Sequence, residues 1–310
     1  MRRAHPPISH QFQPSYSDVS SRIAHLENVD NNSGLVKIIF SRKGVDSAAG
    51  RCASAVVDGR PISLPIPTSM PTATRYGDLA APIPTIALDL SRGRLAFDQP
   101  CHLDPDIDRE ALGAARPLGW RGALGQVSAA LSHLRNAGVG PDDVFLFWGL
   151  FRTCERGPTG WQYVGPRRHV IFGWLQVDEI VDLGPDGSHA LKRHPWLAQH
   201  PHVRPGWPKR NAIFLAKKIL TIGDGVIPGF GIFNRPLVLT VEGSATPSMW
   251  AVPPWLDPIS GGVGMTYNPS NRWLGNGSVM VAARGQEFVA DTGGRIDARD
   301  WLLSLFRRSP

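Results

Sequence analysis

Two apolar runs dominate the pattern of hydrophobic and polar positions along the chain. Val144–Trp148 and His169–Val177 are rich in β-branched and aromatic residues and are bounded by turn residues, which is typical of buried β-strands. Gly173 interrupts the second run, and a glycine there allows a ligand or another backbone to approach closely. We therefore expect this strand pair to form the centre of the fold, with binding residues on the connecting loop at 151–168.

The pattern of hydrophobic and polar positions also predicts helices and strands before and after this strand pair. Leu124, Val127, Leu131 and Leu134 form a narrow apolar stripe, which predicts a helix over Gly122–Ala137 that carries Gln126 and His133 on one face. A second helix is predicted over Asp297–Phe306, and a short one over Ile107–Ala115. The remaining predicted elements are a hairpin at Ser54–Pro67 and strands at Leu35–Phe40, Asn211–Leu215, Leu237–Val241 and Ser278–Ala282.

Length and composition favour one large folded domain. Of the 310 residues, 42% are hydrophobic, which is enough for an extensive core. Residues 1–34 show little periodicity and are predicted to be a disordered tail, so residues 35–310 form the predicted single domain. The chain has no apolar run of 18 residues, so we expect no membrane span. Three cysteines without a paired spacing indicate a reducing compartment, and the expected location is the cytoplasm.

The positive charge of the chain is concentrated in one region. The formal net charge is +7, and residues 152–218 hold eleven Lys or Arg against five Asp or Glu. Five of the ten tryptophans lie in or beside this region. Basic residues among large flat rings suit phosphate neutralisation and base stacking, which points to DNA or a nucleotide as partner. A solvated basic face over an aromatic core would give the same composition, so both readings stay open.

The loop after the first predicted strand is a candidate anion site. Residues 41–47 carry two cations and small hydroxyl side chains at a strand end, where the loop could hold a phosphate. The glycines at 223–231 lack a following Lys-Ser/Thr and a helix, so a P-loop or dinucleotide fold is excluded there.

Two histidine-containing stretches are candidates for chemistry. His102, Asp104 and Asp106 could form a metal site or an acid/base pair in which a carboxylate orients the imidazole, or Asp106 could simply cap a helix. His200 and His202, together with His194, have a spacing that could bind a metal ion. The sequence alone decides neither the metal nor any other cofactor.

The order of elements also resembles known families. The helix, turn, strand, long loop and strand through HVIFGWLQVDEI resemble PUA-like barrels, including the ASCH and EVE groups. The resemblance implies an α+β fold with a PUA-like mixed β-barrel core, peripheral helices and long Pro/Gly-rich loops.

A closer resemblance is to the third of the nucleotide modification associated domain families of bacteria and phages. The matching stretches are Ser41–Ser47, Ser63–Pro67, Tyr76–Leu79, His102–Asp106, Gly122–Gln126, Val139–Arg152, His169–Ile180 and His200–His202. They follow one another from about residue 35 onwards. The resemblance implies a link to the modification of DNA or nucleotide bases, without assigning a reaction.

Three hypotheses follow. In the first, a basic, ring-lined mouth binds a nucleotide or an extruded base. In the second, the protein is an enzyme with His102, Asp104 and Asp106 as its acid/base or metal site. In the third, it is a scaffold that binds protein partners within a modification system. The predicted nucleotide-binding residues are Ser41, Arg42, Lys43, Asp46, Ser47, Gln126, Arg152, His169, Trp174, His200 and His202.

Overall fold

In the computed structural model, the two apolar runs are the centres of two long antiparallel strands. They extend well beyond the predicted runs, as β7 (Val144–Gly157) and β9 (Arg168–Asp182). The alternation of side chains sends Phe145 and Phe147 to one face of the sheet and Leu146 and Trp148 to the other, and all four are buried. The structure describes residues 36–307 except 185, 186, 224, 284 and 286, so the predicted tail lies outside the described residues.

The main sheet has ten strands, and its principal path runs β14-β1-β7-β9-β10-β6. β1 runs parallel to β7, whereas the pairs β14-β1, β7-β9, β9-β10 and β10-β6 are antiparallel. β11 pairs with β9, while β2 and β8 pair with β7 and β3 pairs with β2. The strands that complete this sheet are β1 (Lys37–Arg42), β2 (Ser54–Val57), β3 (Arg60–Ile62), β6 (Ala123–Val127), β8 (Gly160–Tyr163), β10 (Asn211–Ala216), β11 (Phe230–Val238) and β14 (Glu287–Asp291).

In the described residues, two small sheets and four helices accompany the main sheet. The small sheets pair β4 (Ile66–Pro67) with β5 (Cys101–His102) and β12 (Met249–Ala251) with β13 (Ser278–Met280). The helices are α1 (Ile83–Leu90), α2 (Ser128–Asn136), α3 (Ser188–Arg193) and α4 (Ile296–Arg307). Short 3₁₀ turns occupy Tyr76–Asp78, Pro195–Gln199, Pro201–Val203, Pro258–Ser260 and Ser270–Arg272.

The sheet curls into a half-barrel, and its two end strands are joined by side chains. Gln126 of β6 donates its side-chain amide to the carboxylate of Glu287 of β14. Within the described residues, the ladders give β6 and β14 one strand partner each, β10 and β1 respectively. We call this place, where Gln126 meets Glu287, the seam.

Several predicted elements are confirmed, and two helix predictions are wrong. The hairpin around Asp58 and the strands β1, β10 and β13 lie where the apolar pattern placed them. The predicted helix at 122–137 divides, because its first part pairs with β10 as β6 and only the second part is helical, as α2. Gln126 is therefore a strand residue. Residues 107–115 form no helix, so the helix-capping alternative for Asp106 is wrong as well.

The α+β class is confirmed, whereas the PUA-like barrel stays a prediction. The three cysteines are buried free thiols. No helix in the described part of the chain is both long enough and apolar enough to cross a membrane.

Candidate active site of three histidines and an aspartate

Beside the seam, three histidines and one aspartate from separate parts of the chain form a buried cluster. His102 is the last residue of β5, and Asp104 lies in the loop that follows. Two backbone hydrogen bonds hold this loop against β6, because Asp106 and Ala123 each donate an N–H to the other's carbonyl. His200 and His202 lie at the 3₁₀ turn that follows residue 200. The side chains of these four residues, His102, Asp104, His200 and His202, are between 2% and 10% exposed, and we call them the His–Asp cluster.

Asp104 is at the centre of the cluster. Its Oδ2 lies 3.7 Å from Nε2 of His102 and 3.8 Å from Nε2 of His202, and its Oδ1 lies 3.5 Å from Nε2 of His200. The backbone N–H of Gly125 donates to Oδ1 at 2.7 Å. Burial by itself would raise the pKa of Asp104, but the neighbouring imidazoles and the charge of Lys43 hold that pKa well below its ordinary value. The carboxylate is therefore an anion at neutral pH.

His202 is fixed in one orientation. Its Nδ1 lies 2.9 Å from Oδ1 of Asn211, and the side-chain amide of Asn211 donates to the carbonyl of His202 at 2.8 Å. Because that amide oxygen is an acceptor, Nδ1 carries the proton and Nε2 presents a lone pair towards Asp104. Burial lowers the pKa of His202 to about 3, so the ring is neutral. The indole of Trp207 stacks on it at 4.3 Å between ring centroids.

His200 has the opposite arrangement of its two nitrogens. Its Nδ1 accepts the backbone N–H of His202 at 3.3 Å, so the neutral ring carries its proton on Nε2. This Nε2 is buried, lies 3.5 Å from Oδ1 of Asp104 and has no hydrogen-bond partner within the described part of the chain. Unpartnered buried polar atoms are rare in folded proteins and are costly. The cluster therefore places a lone pair on His202 and a free N–H on His200 next to one carboxylate.

A second set of buried polar groups continues from the cluster into the seam. Lys43 donates to Oε1 of Glu287 at 3.3 Å, and Gln126 donates to the same oxygen. Among the described residues, the other carboxylate oxygen of Glu287 has no hydrogen-bond partner, although it is buried. The same holds for the hydroxyl of Ser41, the residue that pairs with Glu287 across β1 and β14. Because Lys43 also acts on the pKa of Asp104, the two sets are electrostatically connected.

Side-chain contacts thus bring together six of the predicted site residues in the cluster and around Glu287. Ser41 reaches Glu287 only through the pairing of β1 and β14, and Asp106 is not among the six. Arg116 donates to both carboxylate oxygens of Asp106, at 2.6 and 3.0 Å, and the indole N–H of Trp120 donates to it at 2.9 Å. These bonds hold Asp106 in a structural ion pair. The six that meet are His102, Asp104, His200, His202, Lys43 and Gln126.

The loop after β1 divides between the interior and the surface. Ser41 and Lys43 face Glu287, as described above. Arg42 donates to the carbonyl of Ala283 at 3.3 Å, and Asp46 accepts the backbone N–H groups of residues 48 and 49 within its own turn. Ser47 is exposed. The loop therefore does not gather its five predicted residues around one anion position.

The three residues predicted to line a basic mouth have different surroundings from those expected. Trp174 is 5% exposed, packs against Phe233 and Phe306, and donates its indole N–H to a backbone carbonyl, so it presents no free face for stacking. His169 accepts the indole N–H of Trp250 at 2.9 Å, and burial lowers its pKa to about 4. Arg152 lies over the ring of Tyr163. These contacts are core and loop packing.

Sequence reasoning missed three residues around the cluster. Glu287 opens a strand with only three apolar residues, Asn211 was read only as the start of a strand, and Trp207 was counted only as part of a basic aromatic region. The short spacing from the His-x-His stretch to Trp207 and Asn211 was the available signal, since flanking polar and aromatic groups commonly orient imidazoles.

A cavity of about 450 Å³ adjoins Asp104. Its walls are mainly apolar and include four proline rings, Phe172 and Trp161, and Asp58, Arg60, Asp108 and Glu110 also line it. Its volume falls in the usual range for small-molecule sites, roughly 300–1,000 Å³. Asp104 belongs both to this wall and, through its carboxylate, to the His–Asp cluster.

Comparison with known proteins identifies one family. No curated protein and no solved structure matches the chain. The model of the family described as nucleotide modification associated domain 3 matches residues 37–291, which include the whole His–Asp cluster, the seam and the cavity wall. Because this match covers most of the chain, the protein belongs to the nucleotide modification associated domain 3 family.

Proposed function

We propose that the protein is an enzyme that modifies the base of a nucleotide, with the His–Asp cluster as its reacting centre. The observation that carries the proposal is the convergence of three imidazoles on one buried carboxylate anion. Burying such groups is unfavourable unless they are fully paired, and one of them, Nε2 of His200, is not. Arrangements of this kind are concentrated at functional sites. Membership of a nucleotide-modification family supports the choice of substrate.

The cluster has the groups that proton transfer requires. Nε2 of His200 can donate a proton, and Nε2 of His202 offers a lone pair, from positions beside the two oxygens of the Asp104 carboxylate. An adjacent donor and acceptor are what general acid–base catalysis on a ring nitrogen or exocyclic group of a base needs. His102 has the most exposed side chain of the four, at 10%, whereas Asp104 is the member of the cluster that lines the neighbouring cavity.

The cavity beside Asp104 is the proposed position of the base. Its apolar walls suit the two faces of a planar ring. Four of its described lining residues, Asp58, Asp104, Asp108 and Glu110, carry carboxyl groups, and among those lining residues only Arg60 carries a positive charge, so the cavity disfavours a phosphate. We therefore place the base in the cavity and the sugar-phosphate outside it.

The test combines binding and product analysis on the full chain. Purified protein is incubated with nucleosides, nucleotides and short single- and double-stranded DNA, and the bases are analysed by mass spectrometry. His102→Ala should abolish conversion while the melting temperature stays within a few degrees, whereas His189→Ala, which changes an exposed histidine of α3, should have no effect. Ile83→Trp, which narrows the cavity, should weaken substrate binding.

Two results would contradict the proposal. The first is full conversion by His102→Ala, since the cluster would then take no part in the reaction. The second is a panel in which no base, nucleotide or DNA strand is bound or altered by the wild-type chain. In the second case, capture of a partner protein from the same modification system would favour the scaffold hypothesis instead.

A further inference from the structure

We infer that the His–Asp cluster is a binding site for one divalent transition-metal ion, with His102, Asp104 and His202 as its protein ligands. The inference deepens the proposed function, because it names what the reacting centre holds. It stands on geometry that can be tested with the metal ion alone, without a substrate.

The first argument is the arrangement of the three donor atoms. One nitrogen from each of the two histidines and one carboxylate oxygen all lie within 4.8 Å of one another. Ligand atoms at about 2.1 Å from a common ion lie roughly 3.0–3.5 Å apart. The separations of 3.7 and 3.8 Å between the imidazole nitrogens and Oδ2 of Asp104 are only slightly wider. Closure of these two nitrogen–oxygen pairs onto an ion therefore needs shifts of a few tenths of an ångström.

The second argument is the set of groups that hold the ligands. Asn211 fixes the tautomer of His202 so that Nε2 points its lone pair at the site. Gly125 donates its N–H to Oδ1 of Asp104, which leaves Oδ2 free to coordinate. Metal-binding histidines and carboxylates characteristically have outer partners of this kind. A histidine that served only to fill the core would not need its free nitrogen directed at a carboxylate.

The third argument is the unpartnered nitrogen of His200. Its proton is on Nε2, so this nitrogen cannot be a ligand of the ion, but it can donate to Asp104 or to a water molecule bound by the ion. His200 is therefore assigned as a positioning residue. Two imidazoles and one carboxylate favour zinc, iron, manganese, cobalt or nickel over magnesium or calcium, which prefer sets of oxygen ligands.

The experiment is a titration of the full chain, stripped of metal by a chelator, with Co²⁺ as the probe. We expect one Co²⁺ per chain, with visible absorption bands that report coordination by nitrogen and oxygen. Asp104→Ala and His202→Ala should lower the affinity at least 100-fold, Asn211→Ala should lower it about 10- to 100-fold, and His189→Ala should leave it unchanged. Excess Mg²⁺ or Ca²⁺ should not compete.

His102→Gln distinguishes the loss of a metal ligand from misfolding of the chain. His102 has the most exposed side chain of the three ligands, so His102→Gln disturbs the packing least, and circular dichroism should show an intact fold while Co²⁺ binding is lost. Absence of Co²⁺ binding by the wild-type chain, or wild-type affinity for Co²⁺ in both His102→Gln and Asp104→Ala, overturns the inference. If the wild-type chain binds no Co²⁺ but converts a base in its metal-free form, the inference fails and the enzyme proposal stands.

Discussion

Gly125→Ala is the most direct test of the position of His202. A Cβ at residue 125 would lie 2.2, 2.3 and 2.5 Å from three ring atoms of His202, whereas carbon atoms normally approach one another only to about 3.5–4.0 Å. The backbone cannot yield easily, because β6 is paired with β10 and the N–H of Gly125 is bonded to Asp104. The ring of His202 must therefore move by more than about 1 Å.

The cost of this movement follows from the contacts that it breaks. Overpacking a filled interior costs about 1–3 kcal/mol. Loss of the bond between His202 and Asn211 leaves a buried polar group unpaired, which costs about 1–3 kcal/mol more. The total is about 2–6 kcal/mol, and at about 2 °C per kcal/mol for a chain of this size the melting temperature should fall by about 4–12 °C.

Calorimetry and Co²⁺ titration together check the prediction. We expect the affinity for Co²⁺ to fall at least tenfold, because Nε2 of His202 moves away from Asp104. Gly140→Ala is the matched control, since a Cβ there would have no atom within 4 Å and should change neither quantity. If Gly125→Ala keeps both the melting temperature and the Co²⁺ affinity of the wild type, the ring of His202 does not lie against β6 and the site is wrongly assembled.

Three further predictions concern the surroundings of the site. Burial lowers the pKa of His169 to about 4, so as the pH falls the unfolded chain binds a proton at this residue before the folded chain does. The free energy of unfolding should therefore decrease by about 3 kcal/mol between pH 6.5 and pH 4. Urea unfolding of His169→Asn should show a smaller decrease over this range. Lys43→Met leaves the carboxylate of Glu287 without its cation and should cost about 3–5 kcal/mol, whereas adding Glu287→Gln should restore part of that loss in a double-mutant cycle. Trp174→Phe should lower the melting temperature but leave base binding at the wild-type level, and a selective loss of binding would show that Trp174 contacts the base.

The sequence predicted most of the sheet because its strands carry their own signal. Long apolar runs such as those in β7, β9 and β10 are buried on both faces, so their pattern depends little on what they pack against. The start of the predicted helix at 122–137 was wrong because the local apolar pattern there fits both a helix and a strand. Leu124 and Val127 fit a helical stripe, but they are also members of a five-residue strand whose pairing with β10 comes from far along the chain.

The sequence predicted the individual residues of the candidate site but not that they meet in one place. His102, Asp104, His200 and His202 were singled out by residue type and spacing, yet neither property joins the first pair to the second. Their meeting depends on the curl of the sheet and on the loop that β6 holds in place, which are tertiary features. Asp106 was grouped with the first pair only because it is near them in sequence, and Arg116 decides its actual role.

The site and the fold should also be linked energetically. His102 and Asp104, His202, and the supporting Gly125 come from three separate segments, and these segments meet only in the folded chain. An ion that binds only this folded arrangement stabilises it by about 2.7 kcal/mol when its free concentration is 100 times its dissociation constant. Co²⁺ at that concentration should therefore raise the melting temperature by about 5 °C. His102→Gln should abolish the rise, because it removes a ligand without disturbing the seam, and a rise that persists in this variant would place the ion elsewhere.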